Sequence, residues 1–184
     1  MVEINFYYTE EATLSNLKRI FSSAEIPFVR LSKFFDPVPD NLRSELNPVE
    51  NIGYYRRQEG PAILDDFWQS SKFSKFLHES TGLKLKFRSS KHICYQPGDY
   101  SLLHEEENES DRLTVIFDYT KKWDRDWSGY DLFTSPEKDP LICNRDYGSL
   151  MAVKLGKEDL CCTRYVSLSA RTNVNLDKIV FDLA

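Results

Sequence analysis

Length, composition and charge narrow the class of protein before any motif is considered. The chain has 184 residues, of which 41% are hydrophobic and 14% aromatic, and its net charge is −5. These proportions exclude a disordered chain and predict one compact domain, residues 1–184. An acidic chain lacks the basic face that neutralises phosphates, so we expect no nucleic-acid partner.

Neither membrane insertion nor secretion is predicted. No run approaches the roughly eighteen apolar residues of a membrane span, and residues 1–6 lack the basic start and apolar core of a signal peptide. We therefore expect a cytoplasmic protein that makes no membrane contact. The cysteines show no Cys-x-x-Cys spacing, which argues against zinc-knuckle and thioredoxin-type motifs and predicts reduced thiols. The four cysteines are Cys94, Cys143, Cys161 and Cys162.

The N-terminal third is predicted to combine helix, strand and loop. Residues 2–8 alternate apolar and polar side chains, which predicts an opening strand, whereas 9–21 carry apolar residues at helical spacing. An extended segment follows at 28–35. Residues 36–60 are rich in proline, glycine and polar residues, which predicts a long irregular loop. Within it, residues 54–57, which include Tyr55 and Arg57, are expected either to line the mouth of a pocket or to form a solvated loop whose aromatic side chains cover the edge of the core.

The rest of the chain predicts helices followed by a β-rich core. Residues 61–80 have apolar positions at helical spacing, and Gly82 is well placed to end the helical region. Many short β-prone runs separated by turns follow. The predicted fold is α+β, mainly β, with a double-stranded β-helix (jelly-roll or cupin-like) core at 91–184 and helices packed on one face. Residues 1–90 are expected to form its N-terminal support.

A histidine and a carboxylate lie at the end of one predicted strand. Residues 97–99, Pro-Gly-Asp, form a turn between two β-prone runs, and His104 ends the second run. Glu106 follows two residues later, so an extended backbone places both side chains on the same side. An imidazole and a carboxylate held in this way are two of the three protein ligands of a non-haem iron site. The alternative is that both residues lie on a solvated turn.

The residues around this pair occur in the same order in one known family. The block resembles the prolyl-4-hydroxylase-like branch of the 2-oxoglutarate and Fe(II)-dependent dioxygenases. The helix at 61–82 is also similar to the helix that precedes the barrel in that family, so the resemblance extends over residues 61–184. The matching pieces are Tyr95, the turn at 97–99, His104-x-Glu106, Arg112-Leu113-Thr114, and Trp127 with Gly129-Tyr130-Asp131-Leu132.

The resemblance implies Fe(II) and 2-oxoglutarate as cofactors and a hydroxylation as the reaction. It assigns His104 and Glu106 to the iron, and Tyr95 and Arg171 to the far carboxylate of 2-oxoglutarate. An arginine fork pairs bidentately with a carboxylate, although Arg171 equally fits a surface or structural ion pair. The substrate is expected to be an unknown C–H bond of a small molecule or peptide. Candidates for the substrate pocket are Tyr55, Trp127 and Tyr130.

The second iron-binding histidine of the family has no counterpart in this chain. The three histidines are His78, His92 and His104. Depending on the alignment, the place of the missing histidine falls on Cys162, Thr163 or Arg164. Cys162 as a thiolate would complete a site with His104 and Glu106, because thiolates bind iron. Arg164 would instead pair with Glu106 and exclude the metal.

Three hypotheses for function follow from these observations. The first is an active Fe(II)- and 2-oxoglutarate-dependent hydroxylase. The second is a metal-free, catalytically degenerate binding or regulatory module, whose pocket holds a small acid and which acts beside a protein partner. The third, a cupin-like protein with a different metal, rests only on fold kinship and on the acidic cluster at 105–107. Two further departures from the family pattern bear on the choice: Glu106 stands in place of aspartate, and Tyr130 in place of glycine.

Overall fold

Short helices and two β-sheets make up the protein, which we describe from a computed structural model at residues 2–40, 44–51, 53–103 and 110–184. None of the described helices is long and apolar enough to cross a membrane. The helices are the 3-10 helix η1 (Phe6–Thr9), α1 (Glu11–Ser23), α2 (Asp65–Trp68), α3 (Ser71–Thr81) and the 3-10 helix η2 (Arg125–Trp127). The strands are β1 (Phe28–Leu31), β2 (Asn47–Asn51), β3 (Tyr55–Gly60), β4 (Leu85–Tyr95), β5 (Tyr100–Ser101), β6 (Arg112–Asp118), β7 (Asp131–Thr134), β8 (Leu141–Cys143), β9 (Leu150–Leu155), β10 (Leu160–Thr163) and β11 (Val174–Leu183).

The larger sheet is antiparallel and has its longest strands at its centre. Within the described residues its order is β1-β9-β6-β11-β4-β3-β2, and β5 pairs with β3. β6 is buried at every position because both faces of this sheet are covered. A central strand of this kind appears in sequence as a nearly continuous apolar run, here Leu-Thr-Val-Ile-Phe from Leu113 to Phe117.

A smaller sheet and the helices cover opposite faces of the larger one. The smaller sheet has the order β10-β7-β8, and its Phe133 packs with Ile93 and Leu176 of the larger sheet. On the other face, Phe73 of α3 packs with Phe181 and other buried residues of the larger sheet. Two apolar layers therefore flank the larger sheet, which confirms the predicted mainly β jelly-roll core with helices on one face.

The helix α3 ends at the predicted stop, Gly82, and begins at Ser71, inside the helical region expected at 61–80. The hydroxyl of Ser70 accepts a hydrogen bond from the backbone N–H of Phe73 at 3.2 Å, which is an N-cap. Gly82 adopts a left-handed conformation with φ of 79°, and its N–H donates to the carbonyl of His78. This confirms Gly82 as the C-cap, because a left-handed residue is adopted most easily by glycine.

Two predictions for the N-terminal third are wrong. The expected strand at 2–8 is a 3-10 helix, and Ile4 makes only an isolated bridge to Phe35. The expected loop at 36–60 contains the hairpin β2–β3, which extends the larger sheet beyond β4. Its strands were missed because the residues that β3 turns into the protein interior include the charged Arg57 and Glu59, so no apolar alternation marks them.

Candidate functional site

The candidate site is the interior of the barrel, between the larger and the smaller sheet. A cavity of about 20 Å³ lies there, which is room for about one water molecule. Apolar residues from both sheets surround it, and polar side chains reach it from six different strands. The polar residues on its wall are Arg57, Tyr95, Ser101, Asp131, Thr163 and Lys178.

A chain of hydrogen-bonded polar groups begins on this wall at Arg57 of β3. The guanidinium donates to the carboxylate of Glu59 through Nε at 2.6 Å and to the hydroxyl of Tyr95 through Nη1 at 3.3 Å. It also lies 4.1 Å from the ring centroid of Tyr55, a cation–π contact. Lys91 Nζ pairs with the same Glu59 carboxylate at 3.1 Å. Arg57 therefore has three contacts inside the barrel, with Glu59, Tyr95 and Tyr55.

Burial and ion pairing act in opposite directions on these groups. Burial lowers the pKa of Arg57, but Tyr95 and Glu59 beside it raise this pKa overall. Burial raises the pKa of Glu59, but Arg57 and Lys91 lower it overall. The pKa of Tyr95 is raised, chiefly by burial. At neutral pH, Arg57 and Glu59 form an ion pair and Tyr95 is an uncharged hydroxyl.

Thr163 of β10 continues the chain into the smaller sheet. Its hydroxyl donates to the carboxylate of Asp131 at 2.8 Å, and its presence beside Tyr95 lowers the pKa of that hydroxyl. The second oxygen of Asp131 binds the guanidinium of Arg145, whose Nε lies 3.9 Å from Asp118 Oδ2. Burial lowers the pKa of Arg145, but Asp131 and Asp118 raise it overall, so this guanidinium stays charged. A buried ion pair thus ties β7 to the loop that precedes β9.

Lys178 adds a second cation to the cavity wall. Side chains alternate along β11, so Val174, Leu176 and Lys178 point towards the smaller sheet, whereas Asp177 points the other way. Lys178 is only 7% exposed. With Arg57 and Tyr95 it makes a donor set of two cations and a hydroxyl, the kind of set that holds a carboxylate.

The predicted iron ligands His104 and Glu106 lie outside the described residues, so their geometry is untested. Among residues 2–40, 44–51, 53–103 and 110–184, no group of three histidine, cysteine, aspartate or glutamate side chains is arranged to hold a metal. The described part of the chain does include the position that corresponds to the second iron-binding histidine of the 2-oxoglutarate-dependent dioxygenases.

At that place β10 turns Thr163 into the barrel. Cys162 also lies on the cavity wall, but it pairs with Leu132 in the sheet, and alternation puts its side chain on the opposite side from Thr163. Burial raises the pKa of Cys162 to about 11, so without a metal the group is a thiol at neutral pH. Arg164 is exposed just after the strand. Of these three residues, Thr163 is therefore the one whose side chain β10 turns towards the barrel interior.

The other predicted residues are distributed over the protein. Tyr55 lies on β3 beneath Arg57 and is half-buried. Trp127 packs edge-on against Trp123, with 5.4 Å between the ring centroids. It is partly buried and packs against the apolar core that lies between the two sheets. Tyr130 is half-buried, and Arg171 is exposed in the bend before β11. Of the predicted cofactor and pocket residues that the structure describes, Tyr95 is on the wall of the interior cavity.

Three residues of the site, Asp131, Arg145 and Lys178, were not predicted, and Arg57 was expected only as part of the segment 54–57 at a possible pocket mouth. Lys178 and its neighbour Asp177 interrupt the apolar run of β11, and such an interruption inside a buried strand is a signal that could have been found in the sequence. Asp131 was noticed only as part of a motif. Arg57 and Arg145 lie in segments whose sequence indicates loop, so nothing in their local pattern marks them.

Comparison with known proteins places this geometry in a wider context. No protein-family model and no curated protein sequence matches the chain. Several solved structures, however, match the chain. A prolyl hydroxylase from Trichoplax adhaerens, in complex with a hypoxia-inducible-factor oxygen degradation domain peptide fragment, superposes with a TM-score of 0.72 at 10% identity, covering 98% of this chain and 94% of that one.

Two further structures are similar to it. A prolyl-4-hydroxylase from Pseudomonas putida gives a TM-score of 0.65 at 14% identity, with 92% of this chain and 98% of that chain covered. HygX from Streptomyces hygroscopicus, with nickel, 2-oxoglutarate and hygromycin B bound, gives 0.59 at 9% identity, with 91% and 86% covered. The chain therefore has the fold of the 2-oxoglutarate- and Fe(II)-dependent oxygenases, and prolyl hydroxylases are among the proteins that share it.

Proposed function

We propose that this chain is a 2-oxoglutarate- and Fe(II)-dependent oxygenase that hydroxylates a C–H bond of a small molecule or peptide. The observation that carries the proposal is the donor set of Tyr95, Arg57 and Lys178 on one cavity wall inside a barrel of the oxygenase fold. A dicarboxylate such as 2-oxoglutarate needs such donors for the carboxylate that lies away from the metal. Arg171, which the sequence suggested for this task, is exposed.

His104 and Glu106 are the residues that would hold iron. With Thr163 on the inward side of β10, iron at this place would have two strong protein ligands instead of three, leaving more positions to the cosubstrate and water. Bound iron together with 2-oxoglutarate and dioxygen would supply the oxidant for the hydroxylation. The chain's own contribution is to hold the dicarboxylate and to keep the reaction out of bulk water.

Turnover of 2-oxoglutarate tests this proposal. We expect the wild-type protein, given Fe(II), 2-oxoglutarate and oxygen, to release succinate, and His104→Ala and Glu106→Ala to abolish that release. Tyr95→Phe should raise the concentration of 2-oxoglutarate needed for half-maximal rate about tenfold, because one hydrogen bond to a charged group is lost. Succinate is measured by mass spectrometry.

A matched control is His78→Ala, which removes an exposed histidine of α3 that lies outside the barrel. This variant should release succinate at the wild-type rate. Equal, background-level succinate from wild type and His104→Ala would count against the oxygenase proposal.

A second candidate function is a metal-free binding module with the oxygenase fold. The interior network favours it, since Thr163, Asp131 and Arg145 occupy the barrel with a buried ion pair and the remaining cavity is only about 20 Å³. Such a module would bind a small acid through Arg57 and Lys178, and its partner would be another protein. Calorimetric binding of 2-oxoglutarate in the presence of a chelator, unchanged by His104→Ala, would select this candidate.

A further inference from the structure

A cleft of about 360 Å³ opens on the face of the larger sheet that points away from the barrel interior. Alternation along the strands explains its position. His92 of β4 and Asp177 of β11 lie on this face, whereas their neighbours Ile93 and Lys178 line the interior cavity. The volume is in the range of small-molecule pockets. The polar side chains on its wall include His92, Tyr119, Lys121, Tyr147 and Asn175.

Asp177 lies directly behind His92 and is completely buried. Its carboxylate accepts from His92 Nδ1 at 2.9 Å, from Trp68 Nε1 at 2.8 Å and from the hydroxyl of Tyr119 at 3.1 Å. Two backbone N–H groups just before α2 also donate to it, at 3.1 and 3.3 Å. The negative charge of Asp177 is thus surrounded by five donors, and the pKa of Tyr119 is raised, by burial first and by Asp177 second.

This environment determines which nitrogen of His92 carries a proton. A carboxylate accepts hydrogen bonds and donates none, so Nδ1 must be the donor towards Asp177. Nε2, on the other side of the ring, then holds the lone pair whenever the imidazole is neutral. A carboxylate behind an imidazole also fixes the ring orientation. Because His92 lines the cleft, Nε2 is the nitrogen that a bound molecule would meet.

Lys121 puts a positive charge on the wall of the same cleft, beside the negative charge of Asp40. Its ammonium lies 5.3 Å from the ring centroid of Tyr147 and forms an ion pair with Asp40. An ammonium has three N–H donors, so it can bind a ligand oxygen in addition to these neighbours. Apolar contacts from Leu46 and Ile63 complete the wall.

We propose that this cleft is a second ligand site, independent of iron, that binds a small oxyacid: a carboxylic acid or a phosphate monoester. One proton is shared between the ligand oxygen and Nε2 of His92, so that an imidazolium faces an oxyanion. Lys121 stabilises the negative charge of that oxyanion. Asp177 acts as a positioning residue, since it orients His92 from behind and does not touch the ligand.

Nuclear magnetic resonance of the imidazole nitrogens in the full-length protein tests this site, with inorganic phosphate and acetate as the probes. We expect a saturable shift of the His92 Nε2 resonance with at least one probe. The probe that binds more tightly identifies the oxyacid class. His78 is an internal control, because its exposed ring lies on α3 with Nδ1 2.8 Å from the carbonyl of Leu83. Its resonances should not move.

Two lysine variants distinguish a specific binding site from general electrostatic attraction. Lys121→Met should weaken binding of the probe about tenfold, because a charge-assisted contact is lost. Lys122→Met removes the same charge one residue further on, from an exposed side chain outside the cleft wall, and should leave the affinity unchanged. The proposal is overturned by the absence of a saturable His92 shift, by an equal shift at His78, or by equal effects of the two lysine variants.

Discussion

Replacing Asp177 by alanine is expected to lower the free energy of unfolding by about 3–5 kcal/mol, which is among the largest effects of any single substitution in this protein. The carboxylate is completely buried and accepts five hydrogen bonds. Removing it leaves five buried donors without an acceptor, and each unsatisfied group carries a desolvation penalty of about 1–3 kcal/mol before the structure relaxes. Urea denaturation of both proteins measures the difference.

Asp182 provides a matched control on the same strand. Its carboxylate is partly exposed and lies 3.5 Å from Arg88 in a single ion pair. Because exposed pairs contribute little, Asp182→Ala should change the free energy of unfolding by no more than about 1 kcal/mol. The account of Asp177 would be contradicted if both alanine variants unfolded at the same urea concentration.

The second large effect is expected at Asp131. Asp131→Ala removes the main counter-charge of Arg145 from the barrel interior and should lower the free energy of unfolding by about 3–5 kcal/mol. The side chain of Arg145 is only 2% exposed and has Asp118 as its other anionic neighbour, with Nε 3.9 Å from the carboxylate. That distance is too long for a good hydrogen bond, so the guanidinium would keep its charge with little compensation.

A double variant tests whether the buried charge, and not lost volume, causes this effect. Asp131→Leu combined with Arg145→Met removes both charges and fills the space with apolar groups, so it should recover most of the stability lost in Asp131→Ala. Chemical denaturation of the single and double variants gives the comparison. A double variant as unstable as Asp131→Ala would mean that the ion pair is not the source of the loss.

The predictable parts of the fold are those in which local pattern and tertiary environment agree. The helix α3 carries its apolar face, its Ser70 cap and its Gly82 stop in the sequence itself. The turn at 97–99 forms where proline and glycine predict it, with Gly98 at a φ of 92° and the N–H of Asp99 donating to Gln96. The motif order from Tyr95 to Leu132 indicated the barrel, and the similarity to solved oxygenases confirms that fold.

The parts that could not be predicted are those in which charged side chains face inward. Arg57 and Glu59 of β3 and Lys178 of β11 point into the barrel, and the ion pair of Arg57 with Glu59 is completed by Tyr95 and Lys91 of β4. In the sequence these residues are simply polar, so the local pattern predicts a loop or an exposed surface. The contact between Arg145 and Asp131 joins segments fourteen positions apart through tertiary structure alone. No local spacing could have revealed it.

The most direct test of the proposed function is an anaerobic titration of the purified protein with Fe(II), with and without 2-oxoglutarate. We predict a visible charge-transfer band that requires both additions, that is lost in His104→Ala and that weakens in Tyr95→Phe. A wild-type protein that shows no band, and whose melting temperature does not rise with Fe(II), would contradict the oxygenase proposal and leave the metal-free module as the function to pursue.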